Sequence, residues 1–152
     1  MESKVTNNEG WRLLAQNRTR EALNFFAGQA GRYQKDGVPK VGYALSTAMQ
    51  GDLDRAAWAM RRAFRIDPNS LHYVNIEQPL RISIGNLIAE YNARLDYSDG
   101  SGNSDSAFMI AALNYLLHDK NTARKAIEEA MGKAGDNSQS ALNLYNLVIN
   151  TD

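Results

Sequence analysis

The chain has 152 residues, and its 17 basic and 17 acidic side chains give a net charge of zero, which argues against a general nucleic-acid or anionic-membrane binder. It contains no cysteine, which excludes a disulfide framework, thiolate catalysis and cysteine-ligated zinc. Apolar residues make up 43%, too many for a disordered chain, yet no apolar run approaches the roughly 20 residues of a membrane span, so we expect one folded domain over 1–152.

Apolar residues recur at helical spacing along most of the chain, which predicts an all-α fold. The first helical hairpin is expected from about residue 8 to 32. A polar break at 17–19 separates its two helices, and the Thr19 hydroxyl is suited to cap the second one.

The second hairpin has the clearest boundaries. Pro39 suits the first turn of a helix, and Gly51 can take the left-handed backbone that ends one. Pro68 stops the following helix, because proline cannot continue the hydrogen-bond ladder. An almost wholly apolar stripe marks the first of these two helices: Val38, Val41, Leu45 and Ala48.

Three further elements follow in the C-terminal half. The spacing of apolar residues predicts a long amphipathic helix over about 79–95, and residues 96–105 have the composition of a loop. A third hairpin is expected over 107–131, with a break near His118, and a last helix over about 138–149.

The two clearest hairpins align with each other at an offset of 67 residues. Ala44, Gly51, Asp52, Ala56, Met60, Ala63 and Pro68 correspond to Ala111, His118, Asp119, Ala123, Ile127, Ala130 and Gly135. A shift of about 34 residues towards the N-terminus gives Gly10, Asn17, Ala22, Phe26 and Gln29. This arrangement is similar to the tetratricopeptide repeat family, whose period is about 34 residues. The resemblance implies a single domain with repeats near 3–36, 37–70, 71–103 (degenerate) and 104–137, and a closing helix over 138–150.

The recurring alanines have a packing role in this interpretation. Ala44 and Ala111 lie where the two helices of a hairpin cross, and Ala56 and Ala123 are expected to face them. Small side chains allow the two backbones to approach closely.

Few residues suggest catalysis. The two histidines, His72 and His118, have no metal-binding spacing, and no nucleophile elbow, phosphate loop or dinucleotide glycine motif occurs. We therefore expect a protein that is not an enzyme and that has no cofactor, no metal and no catalytic residues.

The resemblance implies a function in protein–protein interaction. In tetratricopeptide proteins the first helix of each hairpin lines a concave face that holds a peptide or a partner helix. Carried over position by position, the contact residues would be Asn7, Trp11, Val41, Leu45, Ala48, Phe108, Ala112 and Tyr115. The partner would be a protein or peptide of unknown identity, and the chain a monomer or weak homo-oligomer with neither nucleic acid nor membrane as partner.

Two questions stay open at this stage. The apolar stripe on the second hairpin could hold a hydrophobic partner segment, or the chain's own helix 79–95 could fill it. The alternative function is a small-molecule-binding or enzymatic helical domain with a pocket closed by that helix. The polar residues 1–8 do not have the pattern of a signal peptide; the location stays unknown, with the cytoplasm as the default expectation.

A cluster of arginines and a tryptophan share one predicted helix. Arg55, Arg61, Arg62 and Arg65 are expected on its solvated outer face, balanced by nearby aspartates. Trp58 lies away from the apolar stripe. It could stack on a neighbouring arginine, but we expect it to pack against the irregular segment 71–95.

Overall fold

The computed structural model describes residues 8–95 and 104–150. These ranges contain eight α-helices, one short 3-10 turn at Ser70–Tyr73 and no β-strand, which confirms the all-α prediction. The helices are α1 (Asn8–Ala15), α2 (Thr19–Arg32), α3 (Val38–Met49), α4 (Leu53–Ile66), α5 (Gln78–Arg94), α6 (Ser104–Leu116), α7 (Lys120–Met131) and α8 (Gln139–Asn150). No helix in this part of the chain is long and apolar enough to cross a membrane.

Three hairpins close with the same backbone turn. Asn17, Gly51 and His118 all have left-handed φ values, of 61°, 96° and 66°. In each turn the amide of this residue bonds to the carbonyl three residues back, and the next amide bonds to the carbonyl five residues back. That pair of bonds satisfies carbonyls that the end of a helix leaves unpaired. The turns are therefore set by local chemistry, and they recur at the positions that the sequence alignment paired.

The residue after each turn begins the second helix with a common backbone conformation. Asp52 and Asp119 accept hydrogen bonds from the amides of Arg55 and Thr122, at 3.1 and 3.2 Å. Arg18 occupies the corresponding position in the first hairpin and makes no side-chain cap. The prediction that Thr19 caps α2 is therefore wrong, because Thr19 already lies within the helix.

One aromatic ring fills the junction between the first two hairpins. Phe26 on α2 is fully buried, and the centres of the Phe26 and Trp11 rings lie 4.9 Å apart. Gly10 on α1 and Gly42 on α3 approach the Phe26 ring so closely that a methyl group on either would overlap with it. Glycine at these two positions therefore allows three helices to meet around one phenylalanine.

Neighbouring hairpins pack against each other, and helices α5 and α8 each pack against more than one hairpin. Helix α6 packs against α4, so the hairpin α6–α7 lies beside the hairpin α3–α4. Helix α8 packs on α4 and α7, the second helices of those hairpins. Helix α5 packs on α1, α3 and α6, the first helices of the three hairpins. We call the surface formed by α1, α3 and α6 the first-helix face; the resemblance predicts it to be concave.

The first helices α3 and α6 are buried on nearly all sides. A helix at the edge of an open groove would expose one face, so this burial requires neighbours all round. Helices α2, α4 and α5 and the turn Ser70–Tyr73 surround α3, and α4, α5, α7, α8 and the same turn surround α6. The crossing alanines Ala44, Ala56, Ala111 and Ala123 have no exposed surface, in line with their predicted packing role.

Candidate functional site: the first-helix face

Helix α5 presents one apolar row to the protein interior. Its buried residues follow each other at steps of 4, 3 and 4, which places them on one side of a helix: Leu80, Ile84, Leu87 and Tyr91. Pro79 lies in the first turn of α5, where its missing amide costs no helical hydrogen bond. The segment predicted as a degenerate repeat thus supplies one long helix, and this helix covers the first-helix face.

Polar contacts fix both ends of α5. The Arg81 guanidinium donates to the Leu117 carbonyl at 3.0 Å, and the Tyr91 hydroxyl donates to the Leu53 carbonyl at 2.9 Å. Arg94 forms an exposed ion pair with Asp54 at 3.0 Å. Burial raises the pKa of the Tyr91 phenol, so the neutral form that donates the hydrogen bond is favoured.

The predicted contact residues are mostly covered. Five of the eight, on α3 and α6, are at most 2% exposed: Val41, Leu45, Ala48, Phe108 and Ala112. The structure thus corrects the expectation that these side chains are open to a partner, because the hairpin partners α4 and α7, together with α2, α5 and the turn Ser70–Tyr73, pack around the helices that carry them. Of the two alternatives left by the sequence, the structure favours filling by the chain's own helix, since α5 packs on all three first helices and most extensively on α6. Contact between these residues and a partner stays a prediction.

The remaining three predicted residues differ from these five. Trp11 and Tyr115 are only partly buried, and each lines an open cleft. The cleft at Trp11 measures about 370 Å³ and includes Leu80 of α5, and the cleft at Tyr115 measures about 340 Å³. Asn7 lies outside the described residues. The structure therefore does not bring the eight residues together on one accessible surface.

Sequence reasoning missed a buried ion pair. Arg61 does not lie on a solvated face as predicted, since its side chain is only 17% exposed. It donates to Asp136 and to Asp105, both at 2.7 Å, and to the Ser138 hydroxyl at 2.9 Å. Its guanidinium also lies 4.6 Å from the centre of the Phe108 ring. These contacts join α4, α6 and the start of α8, and no local spacing could reveal partners so distant in sequence.

Electrostatics favour the charged form of this pair. Burial alone would raise the pKa of Asp136, but hydrogen bonds from Arg61 and Ser138 outweigh it and hold that pKa below its ordinary value. Every nitrogen of the Arg61 guanidinium is engaged with the protein's own oxygen atoms. The cluster therefore joins these elements, while the Asp105 carboxylate remains 59% exposed beside an open cleft that Asp54, Tyr91 and Arg94 also line.

The two histidines lie close to the same surface. His72 and His118 both line the cleft at Tyr115, and the His72 ring makes an edge contact with Tyr73. Among the described residues, no group of three or more His, Asp or Glu side chains is placed to hold a metal ion. Within the same ranges Gln29 Oε1 is the one buried side-chain polar atom without a hydrogen bond.

Comparison with known proteins adds little to this geometry. No family model matches the chain, and no curated protein matches it. A solved structure described as "MamA RS-1 ArsTM double mutant" is 15% identical, with 97% of this chain and 92% of that chain covered and a TM-score of 0.42. A likeness at that level supports neither a family nor a function for this chain. The all-α array of helical hairpins is therefore established by the structure of this chain alone.

Proposed function

We propose that this chain is a non-enzymatic protein–protein interaction module that binds an amphipathic helix on its first-helix face. The observation that carries this proposal is the placement of α5, which lies on α1, α3 and α6 through one row of apolar side chains. A surface that accepts one helix of the same chain has the lining that a helix from a partner needs. In this account α5 is the internal occupant and a partner helix displaces it.

Assignment to the tetratricopeptide family, with the repeat boundaries given above, is part of the proposal. Three identical turns at Asn17, Gly51 and His118 support it, since their positions follow the alignment of the repeats. The fully buried alanines of the second and fourth repeats support it as well. The third repeat has lost its hairpin, and its remaining helix has become the occupant of the first-helix face.

The apolar row of α5 indicates which residues a partner helix needs. A competing helix needs apolar residues at the spacing of Leu80, Ile84, Leu87 and Tyr91. It must also overcome the high effective concentration of a helix tethered in the same chain. We therefore expect weak binding to the closed chain and tight binding once α5 is released.

The test supplies α5 as a separate peptide. The double variant Ile84→Asp, Leu87→Asp places two carboxylates in the apolar contact, which should unseat α5 because buried unpaired charges are costly. A fluorescein-labelled peptide of residues 78–95 should then bind this variant at least tenfold more tightly than the wild type, as measured by fluorescence anisotropy. Circular dichroism reports whether the other helices remain folded, and the milder variant Leu87→Ala serves if they do not.

Matched controls separate this effect from nonspecific association. The peptide carrying the same two aspartates should not bind the opened protein. The variant Ile82→Asp, Asn86→Asp alters two exposed positions of α5, so it should leave the protein closed. Failure of the wild-type peptide to bind a folded, opened variant would rule out the first-helix face as a helix-binding surface.

A further inference from the structure

The outer side of α4 carries an exposed tryptophan among three arginines. Trp58 is 56% exposed, a large fraction for this residue type, and Arg55, Arg62 and Arg65 are exposed beside it. At 3.6 residues per turn these four side chains lie within an arc of roughly 80° and extend over roughly 15 Å. We call this surface the α4 stripe. The expectation that Trp58 packs against segment 71–95 is wrong, because its ring lies in solvent with the Arg62 guanidinium 5.7 Å from its centre.

The positive charge of the α4 stripe is only partly balanced. Arg55 lies 3.6 Å from Asp52. Among the described residues, Arg62 and Arg65 have no carboxylate within ion-pair distance.

The other nearby acids are already engaged. Asp54 pairs with Arg94, and Asp67 accepts hydrogen bonds from the backbone amides of Gly37 and Asn69. The α4 stripe is therefore a local positive surface on a chain whose net charge is zero.

The field of Arg62 reaches a neighbouring helix. Lys40 on α3 has a lowered pKa, first because of its burial and next because of repulsion from Arg62. Its ammonium donates to the Gln34 carbonyl at 2.9 Å. A negatively charged group placed above Arg62 would relieve this repulsion.

We propose that the α4 stripe docks an acidic peptide segment that carries an apolar side chain. Guanidinium groups bind carboxylates through paired hydrogen bonds, and the Trp58 ring offers a flat apolar surface between them. Tryptophan and arginine are also the residues that most often dominate the binding energy of protein interfaces. This surface is independent of the first-helix face, so either proposal can fail without the other.

The same stripe could attract nucleic acid, but the charge pattern favours a peptide. Affinity for nucleic acid grows with the number of phosphates neutralised, and the α4 stripe offers three cations on a chain without basic excess. Its length of roughly 15 Å matches about three turns of a helix. A short acidic segment lying along it can pair with Arg62 and Arg65, which lack a carboxylate partner among the described residues, and can cover the Trp58 ring.

The test uses a defined probe. A fluorescein-labelled dodecapeptide of glutamate and aspartate with two central leucines is titrated into the full chain, and binding is followed by anisotropy. In parallel, the indole NMR signal of Trp58 is followed and is assigned by comparison with Trp58→Phe. Binding should shift this signal and leave that of Trp11 in place, and it should weaken as salt is raised.

Variants of exposed residues make the test specific. Arg62→Glu, Arg65→Glu should weaken binding at least tenfold, and Trp58→Ala about fivefold. The control Arg124→Glu, Lys125→Glu makes the same charge change on exposed positions of α7 and should leave binding unchanged. An equal loss in both double variants, no binding of the peptide, or tighter binding of a 12-nucleotide single strand would each overturn the proposal.

Discussion

Helices α5 and α8 each cover one side of the hairpin array, and both pack through buried apolar side chains, but within the described ranges only the α8 side adds a buried ion pair. The segment that leads into α8 is joined to α4 by the buried Arg61–Asp136 pair, and Asn143 of α8 donates to the Phe64 carbonyl at 2.8 Å. Helix α5 is held by an apolar row, with polar contacts at its two ends. Apolar contacts are non-directional, and a partner helix can replace them without leaving a buried charge unpaired. Under the proposed function, α5 is therefore the helix that a partner helix displaces.

The largest effect is expected where α4 meets the start of α8. Arg61→Met leaves Asp136 buried without its partner, which should lower the free energy of unfolding by about 4 kcal/mol. The matched control is Arg94→Ala on α5, whose exposed pair with Asp54 should contribute no more than about 0.5 kcal/mol. Urea denaturation of both variants measures the difference. Equal losses of unfolding free energy in the two variants would show that the same kind of contact holds α5 and the segment before α8 in place.

The apolar row of α5 is tested by two isoleucines on the same helix. Ile84 is fully buried and Ile82 is 63% exposed. Ile84→Ala should cost about 3 kcal/mol, because it removes buried methyl groups and leaves a cavity. Ile82→Ala should change the free energy of unfolding by less than about 0.5 kcal/mol. The account of α5 is contradicted if the two variants have similar stability by urea denaturation.

Two helical glycines should respond with opposite signs. Gly42 lies against the Phe26 ring, so Gly42→Ala should destabilise the chain by about 2 kcal/mol. Gly85 lies on the exposed side of α5 with open space around it, so Gly85→Ala should stabilise by about 0.7 kcal/mol. Thermal unfolding of the two variants measures both signs. A stabilised Gly42→Ala would mean that α2 and α3 are further apart than described here.

Acid should weaken the contacts of the segment before α8, and alkali should weaken those of α5. These are the smallest changes in stability predicted here. Asp136 has a lowered pKa, so its contribution is present above the ordinary value of 3.8 and is lost as the pH falls through the folded-state value. Tyr91 has a raised pKa, so its contribution is present below the ordinary value of 10.0 and is lost as the pH rises towards the folded-state value.

Urea midpoints measured against pH should separate these two groups. Asp136→Asn should lose less stability than the wild type between pH 5 and pH 2. Tyr91→Phe should lose less than the wild type above pH 9, and this comparison isolates Tyr91 from Lys40, whose lowered pKa acts in the opposite direction. If the urea midpoint of a variant changes with pH as steeply as that of the wild type, the residue replaced in that variant does not cause the pH dependence.

Features set by neighbouring residues were predictable from the sequence. The turns at Gly51 and His118, the helix over 79–95 and the buried alanines depend on spacing and on local hydrogen bonds, and the structure contains all of them. The position of α5 was not predictable, because it depends on packing against three helices far apart in the chain. Arg61 shows the same limit, since its partner Asp136 is joined to it only by the fold.

The central claim is that α5 occupies the first-helix face, and methyl NOE spectroscopy tests it most directly. The account predicts NOEs from the methyl groups of Leu80, Ile84 and Leu87 to side chains of α1, α3 and α6 in the free protein. NOEs confined to sequence neighbours of α5, with Val41 and Leu45 broadened by a soluble paramagnetic agent, would contradict it.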